Sequence, residues 1–103
     1  MESFSKYPSE SFVIDTDFTD VLGTGETIVV GSSSAKVYQD NAAETDCSST
    51  MIEGSVSVSG NKLRVRIKGG TEDINYFVRF TAVTSSSNTF QNIVLVRVLR
   101  QIG

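Results

Sequence analysis

The sequence contains no histidine and no tryptophan, and it has one cysteine, Cys47, and one proline, Pro8. Without histidine the chain lacks the commonest general base and metal ligand, and it can form no Ser–His or Cys–His nucleophile pair. A lone cysteine excludes an internal disulfide and fits a domain made in a reducing compartment. Cys47 stands in the polar stretch DNAAETDCSST beside Glu44 and Asp46, whose negative charge disfavours a thiolate. It reads as an ordinary loop residue. The missing tryptophan removes the flat platform on which sugar-binding sandwiches usually rely. No apolar run approaches the ~20 residues of a membrane span. The N-terminus, MESFSKYPSES, lacks the basic-then-apolar form of a signal peptide. A sustained 3.6-residue period, the mark of a helix, is also absent. The inventory predicts a non-enzymatic protein with no catalytic residue, no cofactor, no metal and no membrane segment.

What the sequence does hold is strand pattern. Its 103 residues suit one domain with one core. Residues 11–18 (SFVIDTDF) alternate Phe12, Ile14 and Phe18 against Val13, Asp15 and Asp17. Residues 26–31 and 34–39 are two β-rich pieces around a Gly-Ser-Ser kink, readable as one long strand bent at a bulge. A short strand is expected at 55–58, followed by the tight turn Ser59-Gly60-Asn61. Residues 62–68 (KLRVRIK) place Leu63, Val65 and Ile67 on one face and Lys62, Arg64, Arg66 and Lys68 on the other. Two longer strands follow at 74–84 and 89–100, joined by the hairpin loop Ser85–Asn88. About seven strands with short Gly/Ser/Asn turns predict an all-β, antiparallel two-sheet sandwich of immunoglobulin-like or fibronectin type III-like form. The expected organisation is a flexible arm at 1–10 and the sandwich domain at 11–103.

Charge is divided along the chain. Residues 1–53 carry ten acids and two bases; residues 54–103 carry seven bases and two acids. Either acidic strands lie beside basic strands within one fold, or a charged surface meets a partner. The basic row Lys62, Arg64, Arg66 and Lys68 could meet phosphates. With a net charge of −3 and no aromatic among those bases, it reads as a solvated face, and no nucleic acid is expected. The stretch GTGE at 23–26 opens onto β-branched residues rather than a helix, so it is turn chemistry and not a phosphate loop. The acids of DTDFTD at 15–20 lack the glycine and distal glutamate of an EF-hand loop.

The stretch IKGGTEDINYFVRFTAVT, 67–84, resembles the Lys-Gly-Gly-Thr/Val…Tyr-x-Val-x-Phe-x-Ala/Val-Thr segment of small bacteriophage and prophage immunoglobulin-like structural proteins of the fibre–tail adaptor type. DFTDVLGTGETI at 17–28 is similar to that family's Asp-aromatic-Ser-x-x-Leu-x-x-Gly-Glu/Asp-Thr-Ile start. AKVYQD and SSTMIEGSVSVSGNKLRVRIKGG resemble its middle strands. The likeness runs over about 7–103. It implies a virion structural protein at the tail, neck or fibre attachment region, assembled in the bacterial cytoplasm. Its partners would be other phage structural proteins or further copies of itself, met by protein–protein docking. The alternative is a bacterial Ig-like adhesion or ligand-binding module. Cys47 stands where the family is usually polar without a thiol, so no role is carried to it.

Two features of this stretch follow from the residues themselves. Gly69-Gly70 permits a sharp sheet-to-sheet crossing. Tyr76 sits where immunoglobulin-type sandwiches carry a tyrosine corner, with the hydroxyl returned to upstream backbone. Tyr76, Val78 and Phe80 then enter the core beside Val94, Val96 and Val98. The opposite faces of the same two strands hold Phe77, Arg79 and Val83, and Ile93, Leu95, Arg97 and Leu99. Large apolar residues around two arginines mark either an interface or a patch covered by a loop or by Phe4 and Tyr7 of the arm.

Overall fold

The computed structural model describes residues 2–100 of the chain. Residues 101–103 of the expected domain lie outside the described residues. Among the described residues, seven strands form two sheets. The strands are β1 (Glu2–Lys6), β2 (Phe12–Asp17), β3 (Ser34–Gln39), β4 (Ile52–Ser59), β5 (Lys62–Ile67), β6 (Asn75–Val83) and β7 (Thr89–Val98). One sheet has the order β1-β7-β6-β3 and the other β2-β5-β4. With β2 to β7 taken as strands B to G, these are the C-F-G and B-E-D sheets of an immunoglobulin-type sandwich. The core lies between them. Ile14 and Phe18, then Leu63, Val65 and Ile67, face Tyr76, Val78, Phe80 and Ala82, with Val94, Val96 and Val98. The two-residue alternation of β5, β6 and β7 supplies most of these side chains, because only every second position of a strand can reach the core.

The strand count matches the expectation, but one member differs. Residues 26–31 do not form a strand. Only Ile28 pairs, in an isolated bridge to Thr84, and Val30–Ser32 is a 3₁₀ turn. Ile28 is buried; Val29 donates its N–H to the Val83 carbonyl at 2.8 Å. Pairing along β6 resumes at Ser34, opposite Thr81. Seven residues from Ile28 to Ser34 thus face four from Thr84 to Thr81, and the surplus of three is looped out as the turn. The seventh strand is β1, inside the segment expected to stand apart as an arm. It pairs in parallel with β7, Phe4 opposite Val96 and Lys6 opposite Val98. The sandwich is therefore antiparallel in all its pairs but this one. β4 is longer than expected and bulged between Glu53 and Ser57. A single helical turn, α1 (Ser48–Met51), leads into it and buries Met51.

The division of charge is resolved within the fold. β2 lies against β5 with Asp15 opposite Arg64 and Asp17 opposite Lys62; Glu53 of β4 lies opposite Arg66. On the outer surface of the three-stranded sheet the basic row of β5 thus has Asp15 and Asp17 on one side and Glu53 on the other. A polar contact crosses between the sheets as well: Asn92 Nδ2 of β7 donates to Thr16 Oγ1 of β2, and Thr16 is fully buried.

The crossing from β5 to β6 is made at Gly69 and Gly70, with φ of +63° and +95°. A Cβ on Gly70 would lie 2.6 Å from Val98 Cγ2 and 3.2 Å from Met51 Cε, so the backbone itself packs against the core there. Tyr76 closes the crossing. Its ring is buried, and its hydroxyl accepts the Thr71 N–H at 2.9 Å. Lys6 approaches from the other side. It is fully buried, and its ammonium donates to the Gly69 carbonyl at 2.5 Å and to its neighbour's, Tyr7 O, at 2.7 Å. Burial lowers the Lys6 pKa from its ordinary 10.5, and the Glu10 carboxylate opposes that shift in part.

Gly70→Ala should lower stability by about 2–4 kcal/mol, the sum of a left-handed alanine and an overpacked core. Tyr76→Phe should cost ~0.5–1.5 kcal/mol through one lost hydrogen bond. Urea unfolding measures both, and an unchanged midpoint in either would remove that residue from the corner. For Lys6 the folded pKa lies below the unfolded one, so the unfolded chain binds the proton more readily and stability rises with pH in the window just under 10.5. The wild type should therefore gain on Lys6→Met between neutral pH and pH ~10. A constant difference would mean that Lys6 titrates alike in both states.

Candidate functional site: the outer face of the four-stranded sheet

Strand alternation that sends Tyr76, Val78 and Phe80 inward must send Phe77, Arg79 and Thr81 outward. Register then decides what meets them. Phe77 lies opposite Leu95 on β7 and opposite Tyr38 on β3. Arg79 lies between Ile93 and Lys36. One row across the sheet therefore runs Ser3, Leu95, Phe77, Tyr38, with Ile93 and Arg79 beside it. Phe77 and Leu95 are half-buried by their neighbours, while Ile93 and Leu99 are 39% and 38% exposed. None of the four belongs to the core cluster or packs against it.

Arg79 is held in place. Its guanidinium lies over the Tyr38 ring, 4.8 Å from the centroid, and its Nη2 donates to Tyr38 Oη at 2.7 Å. The ring faces the cation with its electron-rich surface. Lys36 and Arg79 also help to lower the Asp46 pKa, although the Ser48 side chain and backbone contribute more. Asp46 is part of a segment that covers the free edge of β3. Gln39 donates to Thr45 O, Cys47 donates to Val37 O, and Val37 donates to Ser48 Oγ, each at 2.8 Å. That segment closes the Val37–Gln39 part of this edge to further strand pairing. Cys47, expected in an ordinary loop, is half-buried against the core at the start of α1.

The remaining candidate residues divide by position. Val83 lies at the far end of β6, opposite Thr89, where its N–H is taken by Ser33 Oγ at 3.0 Å. Arg97 lies near the other end of the sheet, opposite Asn75 and Ser5. The face is thus one surface with Phe77, Leu95 and Arg79 at its middle, and Val83 and Arg97 at its ends. Phe4 does not cover it. Phe4 turns inward against the core, and Tyr7 is 44% exposed in the turn after β1. The sequence reading missed Tyr38. The alternation in SAKVYQ, with Ala35 and Val37 inward and Lys36 and Tyr38 outward, carried the signal.

The far end of the β6–β7 hairpin is tied down by Glu26. Its carboxylate accepts the Gly23 N–H at 2.8 Å, the Thr84 hydroxyl, and Asn88 Nδ2 at 2.9 Å. These bonds, the Gly23 N–H first, hold its carboxyl below the usual range. The GTGE stretch is therefore a turn whose acid braces the hairpin loop. In DTDFTD, Asp17 accepts both the N–H and the hydroxyl of Thr19 in a local turn. Among the described residues no group of three His, Cys, Asp or Glu is placed to hold a metal ion. No helix among them is long and apolar enough to cross a membrane.

A family model described as podophage GP4 fiber-tail adaptor protein gp77 matches residues 6–97. No curated protein matches the chain.

Arg79→Lys should cost ~0.5–1 kcal/mol of stability, because an ammonium keeps the charge but not the planar stack on Tyr38. Tyr38→Phe should lose only the hydroxyl contact. A double-mutant cycle in urea tests the pair. Independent, additive losses would show that the two side chains do not support each other.

Proposed function

This chain belongs to the podophage GP4 fiber-tail adaptor family, and from that membership we propose that it works in the virion by docking alone, through the outer face of its four-stranded sheet. Its partners are other tail or fibre proteins of the phage, or further copies of the same chain, and assembly takes place in the bacterial cytoplasm. One observation carries the choice of face: Phe77, Leu95 and Ile93 lie outside the core on two paired strands, with the braced Arg79 among them and Leu99 just past the end of β7. Apolar side chains gathered around an ordered arginine and a tyrosine are the composition of a protein interface. The β6–β7 hairpin that carries them also carries the core, so the face is presented without a folding step. Binding then loses little conformational entropy. The residue inventory supplies no nucleophile–base pair, and the function requires no turnover.

The combined change Phe77→Ser/Leu95→Ser tests the face. The variant should keep a cooperative melt, because neither residue packs in the core, and should lose incorporation into particles. Interface anchors of this kind are worth ~2 kcal/mol or more each. Loss of the cooperative melt would place the pair in the core. Normal melting together with normal incorporation would move the docking surface elsewhere.

A further inference from the structure

β1 is the least anchored of the seven strands. Of its five residues only Phe4 is apolar, and every fully core-forming apolar residue comes from residues 14–98. Its inward positions are Glu2, Phe4 and Lys6, so where an antiparallel neighbour would bring two or three aliphatic side chains, β1 brings one ring and one cation. The Lys6 ammonium reaches two backbone carbonyls, and desolvation works against its charge. Being parallel to β7, β1 is fixed to it by no hairpin. Its sole described connection is the segment 7–11 that leads to β2 in the other sheet. That segment is folded on itself: Glu10 donates its N–H to Tyr7 O at 3.0 Å, and Tyr7 donates its N–H to Glu10 Oε1 at 2.6 Å. Extended, five residues reach ~17 Å, well beyond the ~10 Å that separates packed sheets. Opening one exposed turn therefore frees the strand to leave its own sandwich. The slot left behind cannot stay empty without cost. It would expose the unpaired edge of β7, the inward row Val94, Val96 and Val98, and the Gly69 carbonyl. The side chains that fill it are those of this same sequence.

We propose that Glu2–Lys6 is an exchangeable strand, and that copies of this chain join by seating β1 of one copy on the β7 edge of another. The occupant is a second copy, because Phe4 and Lys6 already fit the slot and its carbonyl acceptors. Each exchanged strand reproduces the contacts of the unexchanged one, so the balance is set by local concentration and by the hinge. This contact is separate from the outer face, since it uses the sheet's edge and the inward side of β1.

The test uses a disulfide reporter. In a Cys47→Ser background, Ser5→Cys and Arg97→Cys place thiols on register partners that both point outward. Neighbouring strands lie ~4.8 Å apart, within disulfide reach. Oxidised while dilute, the chain should form the bond within one copy and run as a monomer on a non-reducing gel. Oxidised after incubation at millimolar concentration, it should yield covalent dimers in rising proportion. Bonds within single copies at every concentration would overturn the proposal. A second variant removes residues 8–11, which leaves Tyr7 alone in the hinge, a reach of ~7 Å and too short to cross between the sheets. Its mass by light scattering should double or rise further, and its reporter bond should form between copies. A folded monomer would overturn the proposal. Adding Phe77→Ser/Leu95→Ser separates the two surfaces. A dimer that survives with interchain reporter bonds is strand exchange, whatever the fate of the outer-face reading. A dimer that disappears, with bonds within single copies, belongs to the outer face and overturns exchange.

Discussion

The backbone crossing at Gly69-Gly70 is the constraint on which the sandwich depends. Four separate parts of the chain converge there. Tyr76, at the start of β6, accepts the Thr71 N–H from below the crossing; Lys6, at the end of β1, donates to the Gly69 carbonyl; Val98 and Met51 pack directly against Gly70. The crossing thereby sets the phase of β6. Once Tyr76 is fixed inward, strict alternation determines that Val78 and Phe80 are core and that Phe77 and Arg79 are surface. A one-residue slip would exchange those two sets. The candidate interface is thus specified by the same bond that seats the core, although no interface residue touches it.

Much of this was legible in the sequence, for a physical reason. β5, β6 and β7 each have one face against the core and one against solvent, so Leu63, Val65 and Ile67 or Tyr76, Val78 and Phe80 announce themselves by period. β1 gave no such signal. Its only apolar residue is Phe4, Glu2 is exposed, and Lys6 is buried because the edge of the sandwich near Gly69 offers its ammonium carbonyl acceptors. A buried lysine that satisfies backbone oxygens looks, in sequence, like part of a solvated tail. Residues 26–31 erred in the other direction. Thr27-Ile28-Val29-Val30 has strand-like composition, yet only Ile28 is buried, and the chain is needed there to absorb the three-residue surplus before β3. Composition reports what a residue prefers; register, set elsewhere, decides whether it pairs.

The site was readable to the extent that it lies on long alternating strands. Phe77, Arg79, Ile93 and Leu95 fall on one surface because β6 and β7 are a single hairpin. Tyr38 escaped because β3 joins β6 from a distant part of the chain, and no local pattern tells which strand will be the neighbour. The family match over residues 6–97 begins at Lys6, the residue whose role composition concealed.

The parallel pairing of β1 with β7 has a mechanical meaning. In an antiparallel hairpin a pull on the two free ends peels hydrogen bonds apart one after another. Here the chain enters β1 at one end of the ladder and leaves β7 at the other. Tension between those points loads the rungs from Glu2 to Lys6 in shear, all at once, with the Lys6 ammonium gripping the crossing at the trailing end. A strand with little apolar surface is in this geometry placed to share a steady pull along its whole length.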